Sequence, residues 1–260
     1  SGCGRSWPKC EGSFFFDHQN LAQMVEYIHR ASSGLYGIFA IGLVIYTLKK
    51  KKFSHYGLLV LGFLFFVFVE AWVGRMLVVR ELVVDDQRLE RLFWMGLHFL
   101  NTLVLVSTVA LVWFQTMLDP DLIVHPIRKL LKTMFTSKVV VGFLMISLLG
   151  IITAFYDTTV VEGGKAANNL PQAIQILRNV HPFAAVLYVL SIVYFYVSSK
   201  KVNLSKNTLL IVLIGNLCLG ALNVLFHHIA ALQVAHVFVT HMIYLTLMLG
   251  CLHATQKRTF

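Results

Sequence analysis

Long apolar stretches alternate with short polar segments along the whole chain. A helix that crosses a bilayer needs about 20 mostly apolar residues, and seven stretches approach that length. They predict helices over residues 27–48, 57–79, 93–117, 139–156, 181–198, 208–226 and 232–252. Because a chain in lipid must satisfy its own backbone hydrogen bonds, the pattern predicts an all-α polytopic membrane protein.

Composition and charge agree with a membrane location. The chain has 260 residues, of which 57% are hydrophobic and only 13% are charged, which excludes an ordinary soluble globule. A net charge of +10 would suggest nucleic acid as the partner of a soluble protein. Here the cations concentrate in alternate loops, so they indicate the topology of a protein surrounded by membrane lipid. Nucleic acid is therefore not predicted as a partner. The basic loops around 49–52, 128–138 and 200–206 are predicted to be cytoplasmic, with the first 26 residues external and the C-terminus cytoplasmic.

The two halves of the chain share a weak repeat. Glu70 lies four residues before Gly74 in one helix, and Asn216 lies four residues before Gly220 in another. The repeat indicates two related halves, although small residues at this spacing are common in membrane helices. The second half has an additional helix before its other three, so the sequence predicts that the first half lacks its first helix. The predicted organisation is an N-terminal half over residues 1–117, a cytoplasmic linker over 118–138 and a C-terminal half over 139–260.

Histidines are the main candidates for chemistry within the helices. The chain has 11 of them, and polar side chains at membrane depth are functional candidates. His29 and His98 lie near the same end of the first and third helices, and His181 and His236 occupy the corresponding places in the second half. Two imidazoles from facing helices can bind heme iron from both sides, so two pairs predict two hemes. Taken singly, each histidine is more often an interhelical hydrogen-bonding residue. Competing ligand candidates are His227, His228 and His241.

Charged residues accompany these histidines. Glu26 lies one helical turn before His29 on the same face, but it could equally be a glutamate favoured at a helix N-terminus. Glu70 should be protonated or paired, with Arg75 or a histidine as its candidate partner. Three arginines at the level of the histidines are candidates for propionate contacts or for snorkelling at the membrane surface, namely Arg30, Arg75 and Arg178.

Two cysteines stand in the N-terminal segment. Cys3 and Cys10 are separated by six residues, which by itself makes neither a redox CxxC motif nor a zinc site. A disulfide between them would suit an oxidising compartment, as a structural or a redox-active bridge. Cys218 and Cys251 fall within helices and are predicted to be packing residues.

A family resemblance rests on these residues. Residues 2–10, Gly-Cys-Gly-Arg-Ser-Trp-Pro-Lys-Cys, followed by Glu-Tyr-Ile-His-Arg at 26–30, resemble the first external loop and second helix of the heme A synthase family. The likeness continues through His98, His181 and His236 and covers nearly the whole chain. It implies two pseudo-symmetric four-helix bundles, with seven of the eight helices present here.

The resemblance also implies an enzyme. The family oxidises the methyl group of heme O to the formyl group of heme A for terminal oxidases, and a second heme, heme B, relays electrons. Carried onto this sequence, the roles are iron ligation of the substrate heme by His29 and His98, ligation of heme B by His181 and His236, catalysis by Glu26, and electron delivery or maturation by Cys3 and Cys10.

Partners and location follow from the same likeness. Heme O synthase would donate the substrate, and cytochrome oxidase would receive the product. An electron donor of unknown identity would supply the reductant. Whether the protein forms a homo-oligomer is left open. The location would be a bacterial or archaeal plasma membrane, or the mitochondrial inner membrane. Three features depart from the family pattern: Pro182 stands where arginine is usual, the second external loop has no cysteine pair, and Glu70 stands where an amide residue is common.

Other protein classes compete with this interpretation. A diheme b-type cytochrome without enzymatic activity would share the four histidines but would need neither Glu26 nor the cysteines. A degenerate family member kept as a structural partner of an oxidase is another alternative. A seven-helix receptor would leave the histidines unexplained. For a retinal protein, a Schiff base in the final helix is excluded because residues 232–252 contain no lysine.

Overall fold

The computed structural model describes residues 3–4, 9–13, 21–50, 55–82, 86–116, 126–198, 204–226 and 229–256. Within these ranges the secondary structure is helical, and no β-strand occurs beyond an isolated bridge between Cys10 and Ser13. The helices are α1 (Leu21–Lys49), α2 (His55–Val79), α3 (Leu89–Thr116), α4 (Pro126–Thr136), α5 (Lys138–Tyr156), α6 (Gln172–Ser198), α7 (Leu204–Leu225) and α8 (Ala230–Gln256). A π-helical turn at Asp157–Val161 continues α5, and a short 3-10 helix covers Ala167–Asn169.

Seven of the described helices are long and apolar enough to cross a membrane. They are α1, α2, α3, α5, α6, α7 and α8. The prediction of an all-α polytopic membrane protein is therefore confirmed.

The predicted starts of α1 and α6 differ most from the observed ones. Helix α1 begins at Leu21 rather than at 27, and α6 begins at Gln172 rather than at 181. The added turns contain polar residues, which an apolar-run criterion assigns to loops although a helix continues past the hydrocarbon core. As a result Glu26 lies beyond the first turn of α1, which removes the helix-N-terminus interpretation of this carboxylate.

Helix α4 was not predicted. It falls within the predicted linker 118–138, of which residues 117–125 lie outside the described part of the chain. Leu130 and Met134 are buried, whereas Leu131 and Phe135 are exposed. The helix is amphipathic and too short to span a bilayer, so a search for long apolar stretches passes over it. It packs against α8.

The chain divides into two compact units. Unit 1 comprises residues 1–120 and 157–169, and unit 2 comprises residues 121–156 and 170–260. In unit 1, α2 packs against both α1 and α3, which make little direct contact with each other. In unit 2, the main helix pairs are α5 with α6, α7 with α8, and α4 with α8.

The core of unit 1 fixes the position of its three helices. Ala40 of α1, Phe63 and Val67 of α2, and Leu105 of α3 form one buried apolar cluster. In lipid there is no hydrophobic driving force between helices, so van der Waals packing of these side chains is what stabilises the contact. The cluster lies near the middle of the helices. Polar contacts hold the helix ends that carry His29 and His98.

Candidate functional site

Unit 1 brings together the two histidines that the sequence predicted for its half. The imidazole rings of His29 on α1 and His98 on α3 have centroids 6.4 Å apart, with their planes at 86°. His98 packs against α2 at Gly74, where an added Cβ would lie 3.6 Å from its Cε1 atom. A Cβ at that distance would make an ordinary van der Waals contact with the imidazole.

The separation of these rings suits a metal ion held between them. A metal to imidazole-nitrogen bond is about 2 Å long and the ring centre lies about 1 Å further, so opposed ligands have centroids roughly 6 Å apart. Among the described residues, no group of three or more His, Cys, Asp or Glu side chains is arranged to hold a metal ion. A set of two histidines fits heme iron, because the porphyrin nitrogens occupy the remaining positions.

A carboxylate lies beside His98. The Oε1 atom of Glu70 on α2 is 3.5 Å from Nδ1 of His98. Asn101 donates an N–H to Glu70 Oε2 at 2.6 Å, and the Thr102 hydroxyl hydrogen-bonds to Oε1. The sequence left the partner of Glu70 open between Arg75 and a histidine; the structure pairs it with His98 and adds two neutral donors that sequence reasoning missed.

The second acidic candidate, Glu26, connects α1 with the cysteine loop. Its Oε1 accepts a hydrogen bond from Arg30 at 2.5 Å, and its Oε2 accepts one from the backbone N–H of Cys3 at 3.2 Å. Arg30 also donates to the carbonyl of Lys9 at 2.6 Å. Cys3 and Cys10 form a disulfide and are both buried. One ion pair therefore holds both ends of the disulfide loop on the helix that carries His29.

Unit 2 places its two predicted histidines against glycines. An added Cβ at Gly150 of α5 would lie 3.1 Å from Cε1 of His181, and one at Gly220 of α7 would lie 3.2 Å from Cε1 of His236. Nδ1 of His236 is 3.1 Å from the backbone oxygen of Asn216. A Cβ at either position would require the imidazole to give way by a few tenths of an ångström.

The arginine candidates differ in their surroundings. Arg75 is exposed on α2. The guanidinium of Arg178 lies 5.3 Å from the centroid of the Tyr156 ring and donates to Asn179 at 3.2 Å. Arg30 is committed to Glu26 and to the carbonyl of Lys9.

Of the three competing histidines, the structure describes His241. Nδ1 of His241 contacts the carbonyl of Val237, in its own helix, at 2.8 Å. His227 and His228 lie outside the described residues.

A buried arginine that the sequence did not single out anchors a loop of unit 1. Arg91 is only 4% exposed and donates to the hydroxyls of Thr159 at 2.9 Å and Thr158 at 2.5 Å. Nearby, burial opposes ionisation of Asp86, but the hydrogen bonds and charge of Arg88 outweigh burial and hold the pKa of the Asp86 carboxyl below its ordinary value. The only signal for Arg91 was its position seven residues, or two turns, before His98.

Comparison with known proteins gives the chain its family. A family model described as Cytochrome oxidase assembly protein (COX15-CtaA) matches residues 14–248. A heme A synthase of Symbiobacterium thermophilum is 30% identical over 161 residues, which is 56% of this chain and 48% of that protein. A heme A synthase of Bacillus pumilus is 30% identical over 132 residues, or 49% of this chain and 40% of that protein.

A third relative carries a different name. A Protoheme IX farnesyltransferase of Thermus thermophilus is 31% identical over 112 residues, which is 43% of this chain and 18% of that protein. The chain thus spans less than half the length of these three curated relatives. No solved structure matches the chain. The family model covers most of the sequence and confirms the predicted resemblance, so the chain belongs to the COX15-CtaA family of cytochrome oxidase assembly proteins.

Proposed function

We propose that this protein oxidises the methyl group of heme O to the formyl group of heme A during assembly of cytochrome oxidase. The observation that carries the proposal is the pair His29 and His98, whose ring centroids lie 6.4 Å apart. Family membership supports it, since the curated relatives include proteins named heme A synthase. In this proposal the two histidines hold the iron of the substrate heme in unit 1.

The second pair of histidines is assigned to a heme B. His181 and His236 would hold its iron, and the bound heme would supply one-electron transfer. Gly150 and Gly220 leave room for the two rings, which supports a site in which packing holds imidazoles in fixed positions. Arg75 and Arg178 remain candidates for propionate contacts, while Arg30 serves first as the partner of Glu26.

Glu26 is the proposed catalytic residue. Oxidising a methyl group builds positive charge on its carbon, and a fixed carboxylate stabilises that charge without reorganisation at the moment of reaction. Arg30 and the Cys3 N–H hold the two oxygens of Glu26, so its position is fixed from two sides.

The disulfide loop is assigned to electron delivery or maturation, on the external side of the membrane. Its buried Cys3–Cys10 bridge and its attachment to Glu26 support a role next to the substrate site. An external position also agrees with the oxidising compartment that disulfides require. The C-terminus would then be cytoplasmic.

The place of the reaction follows from its substrate. A reaction that transfers a farnesyl group to protoheme must precede this one, and the relative named Protoheme IX farnesyltransferase supports such a donor. Cytochrome oxidase would receive the product, as the family description supports. The electron donor and any homo-oligomer stay predictions from the sequence.

Heme analysis tests the proposal. The full chain is expressed in a host that makes heme O but no heme A, purified in detergent, and its hemes are extracted for chromatography and mass spectrometry. Heme B together with heme A or its hydroxylated precursor is the expected result. Heme B alone, in a host shown to contain heme O, would favour a diheme b-type cytochrome, and a protein without heme would overturn both functions.

The role of Glu26 has its own test. Glu26→Gln should retain heme but lower product formation at least about hundredfold, because the charge that stabilises the reacting carbon is lost. Glu90→Gln is the matched control, since Glu90 pairs with Arg80 on the same unit. Full turnover by Glu26→Gln would contradict the assignment.

A further inference from the structure

Glu70 is a charged group within a membrane-spanning helix that the proposed reaction does not use. It lies in α2 between Tyr56 and Val79, the segment long and apolar enough to cross a membrane. A carboxylate at such depth is costly unless other groups satisfy it. The donors around it therefore indicate what it is for.

Three residues on one face of α3 converge on this carboxylate. Asn101 and Thr102 follow His98 by three and four residues, so both side chains lie on the same side of the helix as His98. Asn101 is buried, with 6% exposure, and its side-chain amide donates to the backbone oxygen of Phe66 at 3.0 Å and to Glu70 Oε2 at 2.6 Å. The Thr102 hydroxyl contacts Glu70 Oε1. Glu70 is thus held as an acceptor next to the ring of His98.

The ring nitrogen that faces Glu70 is otherwise unsatisfied. Nδ1 of His98 is buried and makes no hydrogen bond to any described residue, and it lies 3.5 Å from Glu70 Oε1. At that distance a small rotation of the ring closes a hydrogen bond of ordinary length. In that arrangement Nδ1 carries the proton and Nε2 is left as the nitrogen available to a metal.

We propose that Glu70 is a positioning residue for His98. It accepts the Nδ1–H of the imidazole, fixes the tautomer that offers Nε2 to heme iron, and by its negative charge makes that ligand more basic. A carboxylate behind a metal-binding histidine is a common arrangement for tuning a metal site. The inference rests on the proposed function in one respect, that His98 binds heme iron.

Unit 2 supplies an internal reference. At the related place Asn216 offers His236 a neutral backbone oxygen at 3.1 Å, and its side-chain amide donates to Thr240 at 3.1 Å. The backbone oxygen can fix a tautomer but brings no net charge. Glu70 is therefore expected to set the two hemes apart in reduction potential, with the His98 site the harder to reduce.

Redox titration of the heme-loaded full chain tests the inference. Glu70→Gln keeps the shape of the side chain and removes its charge. It should retain both hemes and shift one of two midpoint potentials upward, by about tenfold in the equilibrium constant for reduction, which is about 59 mV for one electron. Glu70→Asp, which keeps the charge, should stay near the wild-type potential, and Glu90→Gln should change neither heme. Two unshifted potentials in Glu70→Gln would overturn the proposal.

Heme loss in Glu70→Gln is also decisive. Loss of one heme, with an unchanged melting temperature and retention of both hemes by Glu70→Asp, would support the positioning role. Loss of both hemes with a lower melting temperature in both variants would show a merely structural role and overturn it. The measurement requires bound heme but no turnover. A wild-type protein that binds heme without making heme A would therefore contradict the proposed function, and the role of Glu70 could still be tested.

Discussion

The histidines His98 in unit 1 and His236 in unit 2 are packed in the same way. Each lies in the final long helix of its unit, and each ring contacts a glycine of the preceding helix, at Gly74 and Gly220 respectively. The spacing in the sequence repeat thus places a glycine opposite each ring. The absence of a Cβ lets each ring lie close to the facing helix.

The same two histidines differ in charge environment. Thr102 and Thr240 each lie four residues after their histidine and donate to its backbone oxygen. Each threonine hydroxyl also contacts the polar side chain opposite, which is Glu70 in unit 1 and Asn216 in unit 2. The same arrangement therefore gives the His98 ring a charged neighbour and the His236 ring a neutral one. In the proposed function, this difference would distinguish the substrate heme from the electron-relay heme.

Removing either ring should have the largest effect. Under the proposed function, His98→Ala should lower heme A formation at least about hundredfold because the substrate iron would lose a ligand, whereas His236→Ala should remove heme B and leave heme O binding in place. Heme content by chromatography distinguishes the two losses. His241→Ala is the control, because Nδ1 of His241 contacts a backbone carbonyl of its own helix, that of Val237. If His98→Ala kept full turnover, the pairing of His29 with His98 would have no catalytic meaning.

Filling the glycine contacts should have a smaller effect. An alanine Cβ would lie 3.1 Å from His181 at Gly150 and 3.2 Å from His236 at Gly220, but 3.6 Å from His98 at Gly74. Gly150→Ala and Gly220→Ala should therefore displace their rings and weaken heme binding about tenfold, as for other changes behind a metal ligand. Gly74→Ala should be tolerated, since its contact is an ordinary one.

Heme titration of the three alanine variants measures this order. Equal heme affinity in all three would mean that the rings adjust freely and that the glycines have no role in holding them. A loss confined to Gly74→Ala would reverse the comparison between the units.

The smallest effect on the hemes is expected from the buried arginine. Arg91→Gln should lower the free energy of unfolding by about 2 kcal/mol, because charge-assisted hydrogen bonds to Thr158 and Thr159 are lost. Thermal unfolding should show a lower melting temperature with unchanged heme content at low temperature. The exposed Arg88 offers the matched variant Arg88→Gln, which should change the melting temperature little. Equal melting temperatures for both variants would show that Arg91 does not anchor the loop.

The sequence predicted the membrane helices well because apolar length is a direct consequence of bilayer thickness. It missed the first turns of α1 and α6, where polar residues extend each helix, and it missed α4, whose apolar residues alternate with polar ones around a short helix. The sequence identified His29 and His98 because both lie near the same end of their helices, and the structure brings their rings together.

Contacts between helices were beyond the reach of the sequence. In the sequence, Asn101 and Thr102 are ordinary polar residues of an apolar helix. Only the packing of α2 brings Glu70 into contact with both side chains. The link from Glu26 through Arg30 to the carbonyl of Lys9 depends on the course of the cysteine loop. Such contacts join different segments of the chain, and helical periodicity does not encode them.

The loop at 157–169 has a consequence for biosynthesis. It belongs to unit 1, although the chain on either side of it belongs to unit 2. The ribosome makes α1, α2 and α3 first, yet Thr158 and Thr159 reach Arg91 only after α5 has been synthesised and inserted. Unit 1 therefore acquires its last contacts only after α5 has been made. Two halves produced as separate polypeptides from a break after residue 120 would leave the Arg91 guanidinium buried without these hydroxyls until the second half arrived.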